Sequence, residues 1–504
     1  MTTTPTQLAS DFTAATLEQW RAMVDKALKG ADFEKRLVSR TADGIRIAPL
    51  YTRDDALASA DELVPGAAPF TRGTMATRGG LGWNIAAIHI ENDPRAANAA
   101  ILEDLEGGVN SIVLQIGGPG LPPGSEPLET ALKGVMLDAC PIVLIAGEQT
   151  FEAATALMAV WEARNTAPAD RAGSFGADPI GTLARQGQLG EDIDTALARA
   201  VALAKLALPM PRVSALTADG VLYHTAGASE AQELAAMLAT LVAYLRACEK
   251  GGMAPDAALP KIGVALAADA DEFATIAKLR AARRLVWQVA DAAGAGEAAA
   301  HVRFACPTSY RMMAKRDPWT NILRTTIACT GAALGGADAI CVLPFTFALG
   351  KPDGFARRVA RNVQIVCQEE SNLGRVIDPA GGSWYVEQLT DAMAEKAWEL
   401  FQDIEGRGGI VEVLKSGYLQ DEIAKTAAAR AKAIATGKQA LTGVSAFPLL
   451  GDDGVHAEPW PMPLSGPGAA AGTVKALKPH RLSEDFEALR DAADAAGGYS
   501  MFVA

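Results

Sequence analysis

The sequence predicts a closed (β/α)8 barrel, and three observations carry that expectation. From about residue 83, short β-type runs alternate with amphipathic helical segments, and eight such units precede residue 350. The strand candidates are apolar runs, as expected of parallel strands buried on both faces. Eight units in about 270 residues match the size of one barrel, with a doubly wound open sheet as the competing arrangement.

The rest of the chain is organised around that barrel. Residues 1–80 contain a helical segment, LEQWRAMVDKALKG, and a β-like IRIAPLYT, and read as an arm that packs elsewhere. Its apolar stretch must be buried somewhere, which makes it a natural candidate for contacting a partner chain. The barrel spans residues 81–350. Its strand candidates are WNIAAIHI, SIVLQIG, PIVLIAG, GSFGADPI, RVSALTADGVLYHT, KIGVALAA, HVRFACPTS and DAICVLPF. The helix after the sixth places Phe273, Ile276, Ala277 and Ala281 on one face. Residues 351–450 read as a helical extension closing the barrel. Residues 451–504 read as a Pro/Gly/Ala-rich linker and a terminal helix.

Composition narrows the function classes. The 504 residues are 49% hydrophobic and 21% charged, as in a globular protein. With 46 basic against 59 acidic residues the net charge is −13, which argues against a general affinity for nucleic acid or anionic membrane. The uncharged run GGVNSIVLQIGGPGLPPGS holds too many Gly and Pro for a membrane helix. The amino terminus, MTTTPTQLASDF, shows neither a basic nor an apolar signal region, so the cytoplasm is the expected location. Cysteines at 140, 248, 306, 329, 341 and 367 lack metal-type spacing and are expected to be buried free thiols.

Three stretches carry more specific information: CPTSYRMMAKRDPWTNILRTT, ALGKPDGFARRVARNVQIVCQEES and VIDPAGGSWYVEQLT, in that order. Together with VPGAAPFTRGTMATRGG and FATIAKLRAARRLVW they closely resemble the adenosylcobalamin-dependent methylmalonyl-CoA mutases, over most of residues 40–445. The opening KGADFEKRLVSRTADGIRIAPLYTRDD looks most like the small, or β, subunit of that family. The resemblance implies a barrel whose interior admits the pantetheine arm of CoA and a separate flavodoxin-like domain holding cobalamin. In such enzymes the cofactor supplies the radical, while protein groups exclude water and hold the thioester.

Against that pattern this chain departs at several positions. The family's cobalamin motif has Asp two residues before the ligating His, and none of His89, His224, His301, His456 and His480 has one. The final GGYSMFVA resembles the first strand of a cobalamin domain, so the chain is expected to carry no complete one. Where catalytic members have a radical-shielding Tyr, RGTMAT places Met75; where they have Glu near the cofactor, RTTIAC places Ala328. Cys341 stands at their eighth-strand His, and Pro307 at the Gln after their Cys. These four are degenerate pocket positions, and no catalytic residue, cofactor-binding residue or metal ligand is expected on this chain.

Tyr223 and His224 are the candidates for substrate binding. They precede Ala226-Gly227-Ala228, which anchors them near the family's thioester-binding His with an offset of two residues, the same face if the segment is a strand. The alternative is a His satisfied within the fold. Arg185 lies near the family's substrate-carboxylate Arg without aligning to it. Lys278, Arg280, Arg283 and Arg284 could meet CoA phosphates, although bases on one helix are more often solvated or ion-paired. Asn362, Glu369 and Glu370 suit packing and capping better than acid-base chemistry.

The resemblance therefore implies a noncatalytic small subunit of a heterodimeric methylmalonyl-CoA mutase. Adenosylcobalamin and the interconversion of (R)-methylmalonyl-CoA and succinyl-CoA would belong to the large partner subunit. The alternatives are an active acyl-CoA mutase barrel using a separate cobalamin-binding chain, or a homodimeric acyl-CoA-binding protein.

Overall fold

Eight short parallel strands close a barrel in the computed structural model, which describes residues 15–58, 63–77, 82–449, 454–459 and 474–496. A hairpin in the arm supplies β1 (Ser39–Arg40) and β2 (Arg46–Ile47). The barrel strands are β3 (Asn84–His89), β4 (Ser111–Gln115), β5 (Ile142–Ile145) and β6 (Ala172–Ala177), followed by β7 (Arg212–Asp219), β8 (Ile262–Ala265), β9 (Phe304–Pro307) and β10 (Ala339–Cys341). They pair in chain order, and β10 pairs back onto β3. Seven lie within their predicted apolar runs, and β6 begins one residue before its run, at Ala172.

The fifth run is only partly extended. After Asp219 the chain turns at Gly220 into a short helix, Val221–Thr225. An Asp219 carboxylate oxygen accepts the Val221 N–H at 2.7 Å, holding the start of that turn. Tyr223 and His224 are thus helical residues.

Outward-facing strand residues such as Ile112, Leu114, Ile142, Leu144 and Phe175 are buried beneath the surrounding helices. Side-chain caps fix where several of those helices begin: Asp93 before Pro94–Glu106, Ser229 with Gln232 as a capping box before Glu230–Lys250, and Asp271 before Glu272–Ala292. Each such cap contributes about 1 kcal/mol. On the Glu272–Ala292 helix, Ile276, Ala277 and Ala281 are buried, but Phe273 is half-exposed and meets the Tyr385 ring edge-on. The eighth outer helix, Gly354–Ile365, packs between Thr320–Leu334 and Pro94–Glu106. It completes the barrel beyond the expected boundary at residue 350.

Much of the arm lies on its own chain. Asp43 accepts from the Ser229 hydroxyl and from the Ala231 N–H, Gln388 donates to the Asp55 carbonyl at 2.7 Å, and the Tyr51 and Tyr385 rings lie 5.2 Å apart. The apolar IRIAPLYT stretch is therefore at least partly covered without a partner. The first helix differs: Leu17–Leu28 buries none of its residues. Near the other end, Glu487 of the Glu484–Ala495 helix bonds Arg481 and the Lys315 N–H, each at 2.6 Å. Among the described residues no helix is long and apolar enough to cross a membrane.

Candidate functional site at the barrel mouth

Strand register decides what faces the barrel axis. Ala339 pairs with Asn84 and Ala305, Cys341 with Ala86 and Pro307, and Ala305 with Ala265. Residues of the opposite parity, Phe304, Cys306 and Ile340, are buried against the helices, so the first set points inward. It consists largely of small side chains. In most barrels of this type layers of Val, Ile and Leu fill the interior. Here Ala305 is exposed although it sits mid-strand between two paired neighbours. Solvent can reach it only along the axis, so the barrel is open at that level.

The carboxyl ends of the strands hold two polar groups of residues. In the first, His224 is fully buried, with Nε2 2.8 Å from Ser309 Oγ and 3.2 Å from Asp269 Oδ2. Its Nδ1 lies 3.2 Å from Glu233 Oε2, which also accepts from Lys278 Nζ at 2.6 Å. Arg311 donates to Asp269 at 2.8 Å and to the carbonyls of His224 and Ala228. Burial pushes the Glu233 carboxyl up, but Lys278 and His224 outweigh it and hold it at about 2. Burial likewise raises Asp269, and Arg311 with His224 pulls it well below the usual carboxylate range. As arranged, His224 has no ring nitrogen free for a thioester carbonyl. Because the segment is helical, the two-residue offset to the family's His does not keep the same face; it rotates the side chain by about 200°.

In the second group, Arg185 bonds the Asp219 carboxylate and stands 3.9 Å from Asp178. Tyr244 donates to Asp178 at 2.5 Å. Burial, partly offset by Arg185, moves the Asp178 carboxyl up to about 6. Tyr223 is fully buried beside this group, and its hydroxyl is pushed up by burial and by Asp178. A substrate carboxylate approaching Arg185 would compete with Asp219.

The four positions that the resemblance implies to be degenerate, Met75, Pro307, Ala328 and Cys341, do not form one cluster. Cys341 and Pro307 are register partners at the inner mouth. Burial pushes the Cys341 thiol up to about 12, so it is neither a thiolate nor a useful acid at neutral pH. Ala328 is fully buried within the Thr320–Leu334 helix. Met75 is half-exposed at the other end of the barrel, lining a small cavity with Arg283, Gly336 and Asp338, which precedes β10.

The family model described as methylmalonyl-CoA mutase matches residues 40–121 and 124–493. The chain belongs to the methylmalonyl-CoA mutase family. Among its mutase relatives, a Streptomyces virginiae protein named methylmalonyl-CoA mutase small subunit is 45% identical, over 97% of this chain and 78% of the relative. The small subunit from Propionibacterium freudenreichii subsp. shermanii is 39% identical, over 97% and 76%. A protein from Escherichia coli named methylmalonyl-CoA mutase is 27% identical, over 87% of this chain and 65% of the relative.

Mutase chemistry sharpens the meaning of the remaining residues. His89 and His224 are buried, and His480 lies 2.9 Å from Glu484. His301 closes a turn at the amino end of β9, and His456 lines a surface cavity with Lys351 and Glu458, with Gly454 where the cobalamin motif needs Asp. The described residues therefore do not fit a cobalt ligand. Lys278, Arg280, Arg283 and Arg284 are ion-paired to Glu233, Asp378 with Glu387, Asp338 and Asp391 respectively. Asn362, Glu369 and Glu370 are exposed on the outer wall, away from the mouth. Asp269, Glu233, Ser309 and Arg311, the partners that immobilise His224, carry no local sequence signal because they come from separate units.

Proposed function

We propose that this chain is the noncatalytic small subunit of a heterodimeric methylmalonyl-CoA mutase located in the cytoplasm. The larger subunit would hold adenosylcobalamin and interconvert (R)-methylmalonyl-CoA and succinyl-CoA. The observation that carries this reading is the inner mouth of the barrel. Cys341 stands beside Ala86 and Pro307, three side chains that can neither exchange a proton at neutral pH nor hold a polar substrate group. His224 is held by Ser309, Asp269 and Glu233.

The arm supports a partner. The Leu17–Leu28 helix carries Leu17, Trp20, Val24 and Leu28 along one side but buries no residue on its own chain. A second reading, acyl-CoA binding without chemistry, is favoured by the open axis at Ala305.

Reconstitution tests the proposal. Conversion of (R)-methylmalonyl-CoA is measured with adenosylcobalamin and this chain alone, the larger subunit alone, and both together. Activity is expected only where the larger subunit is present, and turnover by this chain alone would overturn the reading.

A further inference from the structure

The six cysteines are free thiols, and two of them meet across the last two helices of the outer wall. Cys329 lies in the Thr320–Leu334 helix, and Cys367 follows directly on the Gly354–Ile365 helix. Their thiols share a hydrogen bond, and the Thr330 hydroxyl stands 3.9 Å from the Cys367 sulfur. Cys329 is fully buried. Cys367 lies one layer beneath the surface, since Val366, Glu369 and Glu370 of its own turn are exposed and Thr330 is half-buried.

The backbone is shaped to present Cys367. Val366–Glu370 form a π turn, closed by the Ser371 N–H on the Val366 carbonyl at 2.8 Å. Such turns insert one residue into a helix and recur at functional sites. Gln364 and Gln368 anchor both sides of this one on Trp83, the residue before β3. Gln364 accepts from the Trp83 indole N–H at 3.3 Å, and Gln368 donates to the Trp83 carbonyl at 2.8 Å.

The pair also differs chemically from the other four thiols. Burial pushes Cys140 and Cys248 up to about 11, and Cys306 and Cys341 up to about 12. Cys367 goes the other way, down to about 7, because the hydrogen bond from Cys329, aided by Thr330, outweighs burial. A nucleophilic thiolate beside a second thiol is the arrangement of an oxidisable pair.

We propose that Cys329 and Cys367 form a hydroperoxide-sensitive dithiol that closes to a disulfide and clamps the last two outer helices together. The Cys367 thiolate sulfur attacks one oxygen of hydrogen peroxide and the O–O bond breaks. Hydroxide leaves and is protonated to water, and Cys367 becomes a sulfenic acid. The Cys329 sulfur, losing its proton, then attacks the Cys367 sulfur; the S–S bond forms, the S–O bond breaks and a second water leaves. Two thiols are oxidised and one peroxide is reduced. Closure draws the sulfurs from hydrogen-bond contact to about 2.05 Å, and the π turn takes up the movement. In a reducing compartment such a bond is transient. The proposal is independent of the small-subunit reading.

The test treats the folded full-length chain with graded hydrogen peroxide at pH 7, then alkylates and maps all six cysteines by peptide mass spectrometry. Cys367 is expected to oxidise at least about tenfold faster than Cys140, Cys248, Cys306 or Cys341. A peptide linking Cys329 to Cys367 should appear and be reversed by dithiothreitol. Hydrogen exchange over 366–371 should slow in the oxidised chain. Cys329→Ser should stop the reaction at a Cys367 sulfenic acid that dimedone traps, and Cys367→Ser should leave Cys329 reduced. The wild-type measurements decide the question even if a variant fails to fold. Oxidation of Cys367 no faster than that of the other four would overturn the proposal. So would a Cys367 that oxidises without linking to Cys329, or a link that forms only in urea or between two chains.

Discussion

Lys278 Nζ and Glu233 Oε2 stand 2.6 Å apart at the carboxyl end of the barrel, and both side chains are buried. The same carboxylate oxygen faces His224, so the mouth is tied together by one ionised group. Removing that charge leaves Lys278 without its partner in a site that water does not reach. Glu233→Gln is expected to destabilise the chain by about 3–5 kcal/mol, as for other broken buried pairs. Urea unfolding followed by circular dichroism measures it. A loss below about 1 kcal/mol would show that the pair is not what holds the mouth together.

The same residue sets an acid limit. Glu233 is held at about 2 against an ordinary value of 4.5, so the native state binds fewer protons than the unfolded chain between those values. Its contribution is therefore complete above about 4.5 and is lost as pH falls towards 2. The difference in unfolding free energy between wild type and Glu233→Gln should be flat from about pH 7 to 5 and shrink below about 4.5. A difference that stayed constant down to pH 3 would contradict the assignment.

Cys341 should be dispensable. Its thiol, pushed up to about 12 by burial, stands where the family resemblance implies a His and offers no comparable chemistry at neutral pH. In the reconstituted complex, Cys341→Ala is expected to keep activity within about threefold, equivalent to ~0.6 kcal/mol in the barrier. A loss near a thousandfold would make the thiol functional.

Deleting residues 1–29 should separate the arm's role from that of the barrel. No residue of the Leu17–Leu28 helix is fully buried, and its contact with its own chain centres on Phe33, which Trp20 and Arg21 cover, so the thermal midpoint should move by no more than a few degrees. Affinity for the larger subunit should fall at least about tenfold if, as proposed, that subunit covers the apolar side of this helix. Equal affinity of the truncated chain would remove the arm from the interface.

The barrel was legible because parallel strands buried on both faces leave continuous apolar runs, of which SIVLQIG and PIVLIAG are clear cases. The helical turn at Val221–Thr225 was not, because VLYHT has strand-like composition and the Gly220 turn decides its conformation. Nor was the fate of His224 readable. Ser309 lies 85 residues away in sequence, and only barrel closure brings the two together. The basic run on the Glu272–Ala292 helix could be seen, but its acceptors, such as Asp378 and Glu387, lie about a hundred residues downstream and no local pattern announces them. The open axis at Ala305 required the register, since small residues in a strand read equally well as tight packing.

That register yields a comparison between adjacent positions of β9. Ala305 points into the open axis, whereas Cys306 is buried against the helices. A larger side chain at Ala305 gains space, and one at Cys306 must displace packed neighbours. Ala305→Leu is expected to change stability by less than about 1 kcal/mol, while Cys306→Leu destabilises by about 1–3 kcal/mol through overpacking. Chemical unfolding of the two variants side by side measures the contrast. If Ala305→Leu is the more damaging of the two, the axis is closed at that level and the acyl-CoA-binding alternative loses its support.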